Sequence, residues 1–189
     1  SSRLFNRHFQ DESQVIEAVK RITAFGVKVK LETIIGLPNI DGLVPDPVKD
    51  AVETVKMAQR ITREVPSGMT FTACFPLMLY PGTSLWEKSQ KAGIPLSDAC
   101  EFEWHSGEGS VKFDPLTMKR IKNMTKLATM FIKYDMSERW IRALMDLDLN
   151  ASSSRQLSEC QYLESLTFRL GDQVEEDFDE ILTGMNFKY

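Results

Sequence analysis

Two stretches of this sequence alternate as strands do, and a long amphipathic helix stands between them. In VKVKLETII, Val27, Val29, Leu31 and Thr33 alternate with Lys28, Lys30 and Glu32. In MTFTACF, Met69, Phe71, Ala73 and Phe75 alternate with Thr70, Thr72 and Cys74. Between them Val48, Ala51, Val52, Val55, Ala58 and Ile61 form one apolar stripe, opened by Asp46-Pro47 and run out by Glu64. Asp before Pro is a strong helix start, because Asp caps the first turn and Pro fixes the first helical φ. Two strands joined through a helix of that length read as parallel.

Helices flank this unit. DESQVIEAVKRITAFG carries Asp11 and Gln14 in capping-box spacing, Val15, Ile16, Val19 and Ile22 at helical spacing, and Gly26 as a left-handed stop. After the second strand, PLMLYPGT turns the chain, Ser84 and Glu87 make a further capping box, and Gly93 closes LWEKSQKAG. The order helix, strand, helix, strand, helix defines an α/β class. Strands buried on both faces of a flat sheet are apolar throughout. Strands of a barrel show one face to the helices and the other to the lumen. The alternation here favours a partial (β/α) barrel segment with parallel strands. Lys28 and Lys30 also fit the solvated start of a strand.

The second half changes character. CEFEWHSGEGSVKF is irregular, with room for a short extended piece. Asp114-Pro115 begins another helix, striped by Leu116, Ile121, Met124, Leu127, Ala128 and Phe131. Ser137 caps ERWIRALMDLDL, NASSSR is a polar joint, and two more helices fit residues 155–170 and 172–183. The expected division is βα units over residues 1–95 and a mostly helical extension over residues 96–189. Met118, Met124, Met130, Met136 and Met145 read as core filler on these helices.

Composition excludes several function classes. A net charge of −4 gives no general attraction to nucleic acid or anionic lipid. No apolar run is long enough to span a membrane, and SSRLFNRHFQ lacks the core of a signal peptide. Cys74, Cys100 and Cys160 lie too far apart for a disulfide framework or a metal loop, which points to a cytoplasmic setting. No metal ligand is assigned.

With these features in hand, NRHFQDESQVIEAVKRITAFGVKVKLETIIGLPN, DAVETVKMAQ and FTACFPLMLYPGTSLWEKSQKAG together resemble the closing part of a radical-SAM enzyme. The cobalamin-binding branch is the nearest match. The resemblance rests on Gly36-Leu37-Pro38 at the end of one strand and Pro81-Gly82-Thr83 after the next, over residues 5–93. It implies S-adenosyl-L-methionine and a [4Fe–4S] cluster as cofactors of the parent protein, with cobalamin as an option, and a 5′-deoxyadenosyl radical as the reactive species. The family's C-x-x-x-C-x-x-C motif does not occur in this chain. The expectation is therefore a C-terminal portion, inactive alone, whose partner is an N-terminal half of the same protein and whose parent acts on a small molecule.

By the same resemblance, Ile34, Ile35, Gly36 and Leu37 would wall the adenine, and the backbone near Cys74, Phe75 and Pro76 would meet its edge. This agrees with the rule that parallel α/β folds bind ligands at the carboxyl ends of strands. Gly36 has no Cβ, and Pro38 ends the strand. Glu32, Thr70, Thr72 and Cys74 fall on one face by alternation and would line the substrate cavity. The bland reading of Ile34–Pro38 is a plain strand exit into a turn. His105 could line the substrate mouth, and by the resemblance a basic residue near Asn6-Arg7 would reach the carboxylate of S-adenosyl-L-methionine; plain solvent exposure is the simpler reading of both. A different class also fits: a non-catalytic α/β interaction module whose open strand edges pair with a partner chain or with a second copy.

Overall fold

The computed structural model describes residues 12–66, 69–97, 109–133 and 135–147; of residues 69–73 it describes the backbone. The order is α1 (Glu12–Ala24), β1 (Val29–Ile35), α2 (Pro47–Glu64), β2 (Met69–Pro76), α3 (Ser84–Lys91), α4 (Pro115–Lys133) and α5 (Glu138–Met145). Asp11, His105, Asn6, Arg7 and the two helices expected after residue 150 lie outside the described residues, as do Cys100 and Cys160.

β1 and β2 form a parallel two-stranded sheet, and α2 is the crossover between them. α2 and α4 start where their sequences direct. Asp46 Oδ1 accepts from the amides of Val48 and Lys49 at 2.9 Å. Asp114 Oδ1 accepts from Leu116 and Thr117 at 3.1 Å. The α3 cap is one residue earlier than the sequence implies: Thr83, not Ser84, accepts from the Trp86 amide. Thr83 is drawn into that place by the preceding turn, where its Oγ1 donates to Tyr80 O at 2.7 Å.

The helices lie on one face of the sheet. α2 contacts β1, α4 contacts β2, and the two helices pack against each other with α5 beside them. Ile35, Cys74, the α2 stripe from Val48 to Ala58, Ile121, Met124, Leu127, Phe131, Ile141 and Leu144 make the main core. α1 completes the layer by packing Ile16 and Val19 against Ile61, Val65, Val29 and Leu31. Of the α4 stripe, Leu116 is the exception and stays half-exposed. Met124, Met130, Met136 and Met145 are buried core, while Met118 is half-buried.

Two buried amides fix the α4–α5 corner. Gln59 Nε2 donates to Phe131 O and Met136 O, both at 2.8 Å. Asn123 Nδ2 donates to Met145 O at 2.9 Å and Leu147 O at 2.7 Å. Met145 O and Leu147 O sit at and just past the end of α5, where backbone donors run out, while Gln59 joins the loop carbonyl of Met136 to Phe131 O, which also accepts from Met136 N at 3.0 Å. Because the corner is closed from within, α4 is held against β2 and the carboxyl ends of both strands.

Candidate functional site

The strand ends meet side by side. Thr33 lies opposite Cys74, Ile34 opposite Phe75 and Ile35 opposite Pro76, and the ladder continues with Leu77 N donating to Ile35 O at 2.8 Å. The two expected clusters, Ile34–Leu37 and Cys74–Pro76, are therefore neighbours. Alternation then divides them. Thr33, Ile35 and Cys74 are turned into the helix layer and buried. Lys30, Glu32 and Ile34 are exposed on the opposite face, which carries no helix among the described residues.

Three sequence expectations change on this geometry. Cys74 does not share a face with Glu32. The register shifts between Leu31 and Glu32, with Leu31 opposite Phe71 but Glu32 opposite Ala73. A bulge at Thr72 breaks the period-two pattern of β2, so the alternation of Thr70, Thr72 and Cys74 does not describe one face. By register Thr70 lies opposite Lys30 on the open face; the side chains of Thr70 and Thr72 lie outside those described. Second, Ile35 and Leu37 belong to cores, the first beneath α2 and α4, the second in a smaller cluster with Ile40, Val44, Leu77, Leu79, Leu85 and Val111.

The third change concerns Gly36. Its φ is +74°, and a Cβ there would come 3.3 Å from Ile121 Cγ2 and 3.8 Å from Phe113 Cε2. The space beside it, lined also by Pro76, Leu77 and Val111, has a volume of about 10 Å³. That is room for one water at most, not for a purine. Gly36 serves a left-handed turn beneath α4 rather than a ligand on that side. The segment after residue 108 seals the same end. Ser110 Oγ accepts from Leu79 N at 2.7 Å, Ser110 N donates to Leu77 O at 2.9 Å, and a Cβ on Gly109 would meet Leu77 O at 2.7 Å.

The open face thus runs from charge to apolar surface. Lys30 Nζ and Glu32 Oε1 pair at 2.7 Å near its start. Ile34, 43% exposed, lies opposite the half-buried Phe75 at its carboxyl end. The helix face is chemically quiet. Burial pushes the Cys74 thiol up from 9.0 to about 11, with the neighbouring Thr33 hydroxyl offsetting part of the rise. Thr33 Oγ1 has no partner of good geometry among the described residues, and the thiol beside it is a weak one. A thiol so placed stays protonated at neutral pH, which makes it a poor nucleophile.

No group of three or more His, Cys, Asp or Glu side chains among the described residues is placed to hold a metal ion. Together with the absence of the three-cysteine motif from the sequence, this donor set does not fit an iron–sulfur cluster. No helix among the described residues is long and apolar enough to cross a membrane. No family model, curated protein or solved structure matches the chain.

Proposed function

We propose that this chain forms the closing βα units of a radical-SAM enzyme, supplying one wall of a cavity whose cluster ligands lie on other polypeptide. One observation carries the reading. A parallel sheet is covered by helices on one face and, among the described residues, bare on the other, and that face ends in an apolar pair, Ile34 and Phe75, at the carboxyl ends of the strands. Helices outside and a ligand within is the arrangement of a (β/α) barrel. The adenine of S-adenosyl-L-methionine is flat, and its faces suit apolar side chains while its edge suits backbone donors and acceptors. Ile34 and Phe75 would take the face, and the backbone around Pro76 would meet the edge. Glu32 and Lys30, farther down the same face, would reach substrate or the amino-acid end of the cofactor. The cluster and cofactor would supply the radical chemistry; this chain would bind, orient and exclude water, and would be inactive by itself.

The test is cofactor binding by the whole protein after anaerobic reconstitution of its cluster. Ile34→Glu is expected to weaken S-adenosyl-L-methionine binding by at least about tenfold, since a charge replaces an apolar contact. Unchanged binding overturns the assignment of the wall. A stoichiometric cluster assembled on these 189 residues alone, seen as iron content and visible absorbance, overturns the division of labour.

A second reading draws on the two strand edges that remain unpaired among the described residues. Such edges recruit other chains, so a non-catalytic interaction module is the alternative. It predicts tight association with a partner or a second copy, by light scattering, with no affinity for adenosine compounds.

A further inference from the structure

The loop from β1 to α2 turns on Asp41-Gly42. Ile40 N donates to Pro38 O and Leu43 N to Ile40 O, both at 3.0 Å, so the loop is closed by its own backbone. At its tip Asp41 has φ +54° and Gly42 φ +73°. Positive φ at both central residues makes this a type I′ turn, for which Asp-Gly is a preferred pair. Both residues are exposed, and a Cβ on Gly42 would meet nothing within 4 Å. Neither the Asp41 carboxylate nor the Gly42 amide has a hydrogen-bond partner among the described residues.

Such a turn stands one motion away from a chemical reaction. A type II′ turn keeps φ near about +60° at its first central residue and differs in ψ there, about −120° against about +30°. Rotating the Asp41–Gly42 peptide plane converts one turn into the other and leaves the Ile40–Leu43 bond in place. Glycine follows freely, because φ at residue 42 passes from positive to negative. The rotated plane brings the Gly42 nitrogen into line with Asp41 Cβ, beside the side-chain carboxyl.

We propose that Asp41 is a site of spontaneous covalent modification, isomerising through a succinimide formed with Gly42, and that the fold promotes the reaction. The Gly42 nitrogen bonds to Cγ of the neutral carboxyl, and one carboxyl oxygen leaves as water with the carboxyl and amide protons. Water then opens the ring. Addition at Cγ restores aspartate; addition at the backbone carbonyl carbon leaves isoaspartate, with the main chain running through the side chain. The water lost is regained, and nothing is oxidised or reduced. Asp135 supplies the comparison. Its φ is +48°, but its carboxylate is held by Arg63 at 2.9 and 2.6 Å. The next residue is Met136, whose amide donates to Phe131 O at 3.0 Å and whose side chain is buried. Asp46 and Asp114 precede proline, which has no N–H to give. Asp-Gly occurs once in the sequence and Asn-Gly not at all.

The turn is short and its ends are anchored. Ile40 and Val44 are 3% and 2% exposed, in the cluster that holds Leu37, Leu77 and Leu79 at the strand ends. An added main-chain methylene between those anchors breaks the Ile40–Leu43 bond. The product is the class of substrate taken by enzymes that methylate isoaspartyl carboxyls. The inference does not rest on the radical-SAM reading.

Incubation of the chain in heavy-oxygen water at neutral pH tests it, since each passage through the succinimide labels the carboxylate even where aspartate is restored. Peptide mapping is expected to find label and isoaspartate at Asp41, at least about tenfold above Asp135. The folded chain should react at least as fast as the same chain in urea. Reaction about tenfold slower when folded means that the turn protects Asp41, and overturns the proposal; so does equal labelling of Asp41 and Asp135. Asp41→Asn closes the same ring with ammonia as leaving group and should form isoaspartate faster; no isoaspartate there means the ring does not close in this turn. In the isoaspartyl form, separated by chromatography, the Leu43 amide should exchange about tenfold faster than in the parent. Unchanged exchange overturns the claimed effect on the turn.

Discussion

Gly36 and Cys74 were read from sequence as places a ligand approaches, and both are instead places where helix meets sheet. Gly36 adopts φ +74° with Ile121 Cγ2 within 3.3 Å of where a Cβ would stand. Gly26 has the same φ but nothing within 4 Å, so it measures the conformational cost alone. Gly26→Ala is expected to cost about 1 kcal/mol, the ordinary penalty of a left-handed L-residue. Gly36→Ala should cost about 1–3 kcal/mol more, from overpacking against α4. Urea titration of the two variants checks the difference; equal costs would mean α4 does not press on the strand end. Cys74 gives a pH signature. Its folded pKa is raised to about 11 from an unfolded 9.0. The group's contribution is therefore fully present below pH 9 and is lost as pH rises toward 11, because the unfolded thiol ionises first. Cys74→Ala should remove up to about 2–3 kcal/mol of the alkaline loss of stability. The readout is thermal stability of the two proteins across pH 8 to 11, with the slope above 9 smaller in the variant.

At the scale of elements, what the sequence could show depended on how local the signal was. α2 was legible in full, since Asp46-Pro47 and a regular stripe act over one helix and every stripe residue is buried. β1 was legible for the same reason, its odd residues facing the helices and its even ones solvent. β2 was not, because the bulge at Thr72 arises from pairing with β1 and leaves no mark in the alternation of β2 itself. The amide clamps of Gln59 and Asn123 were missed altogether. Their partners lie 72 and 77, and 22 and 24, residues away; an isolated polar residue inside an apolar stripe was the available sign. The cap of α3 was misread by one place, since both Thr83 and Ser84 suit the role and only the Tyr80 turn chooses between them. That choice is testable. Thr83→Ala should cost about 1 kcal/mol, and Ser84→Ala, at an exposed first-turn position, well under about 0.5 kcal/mol. Chemical denaturation that ranks them the other way would return the cap to Ser84.

For the whole molecule, the α/β class and the parallel pairing follow from element order, while the candidate site required knowing which face of the sheet the helices occupy. Ile34 and Ile35 are adjacent, alike in chemistry and both part of the expected wall, yet they end on opposite sides: 43% and 0% exposed. Period-two alternation puts the two isoleucines on opposite faces, and the helix layer decides which face is the buried one, by packing α2 and α4 over Ile35 and leaving Ile34 exposed. The pair therefore tests the division of the molecule into a structural face and a functional face. Ile35→Ala removes a fully buried side chain and should cost about 2–5 kcal/mol. Ile34→Ser should change stability by less than about 0.5 kcal/mol while weakening adenosine binding by the whole protein. Equal destabilisation by the two would mean that something covers the bare face even in this chain, and the cavity wall would have to be sought elsewhere. If Ile34→Ser leaves both stability and binding untouched, the face is ordinary solvent-exposed sheet and the cofactor reading loses its site.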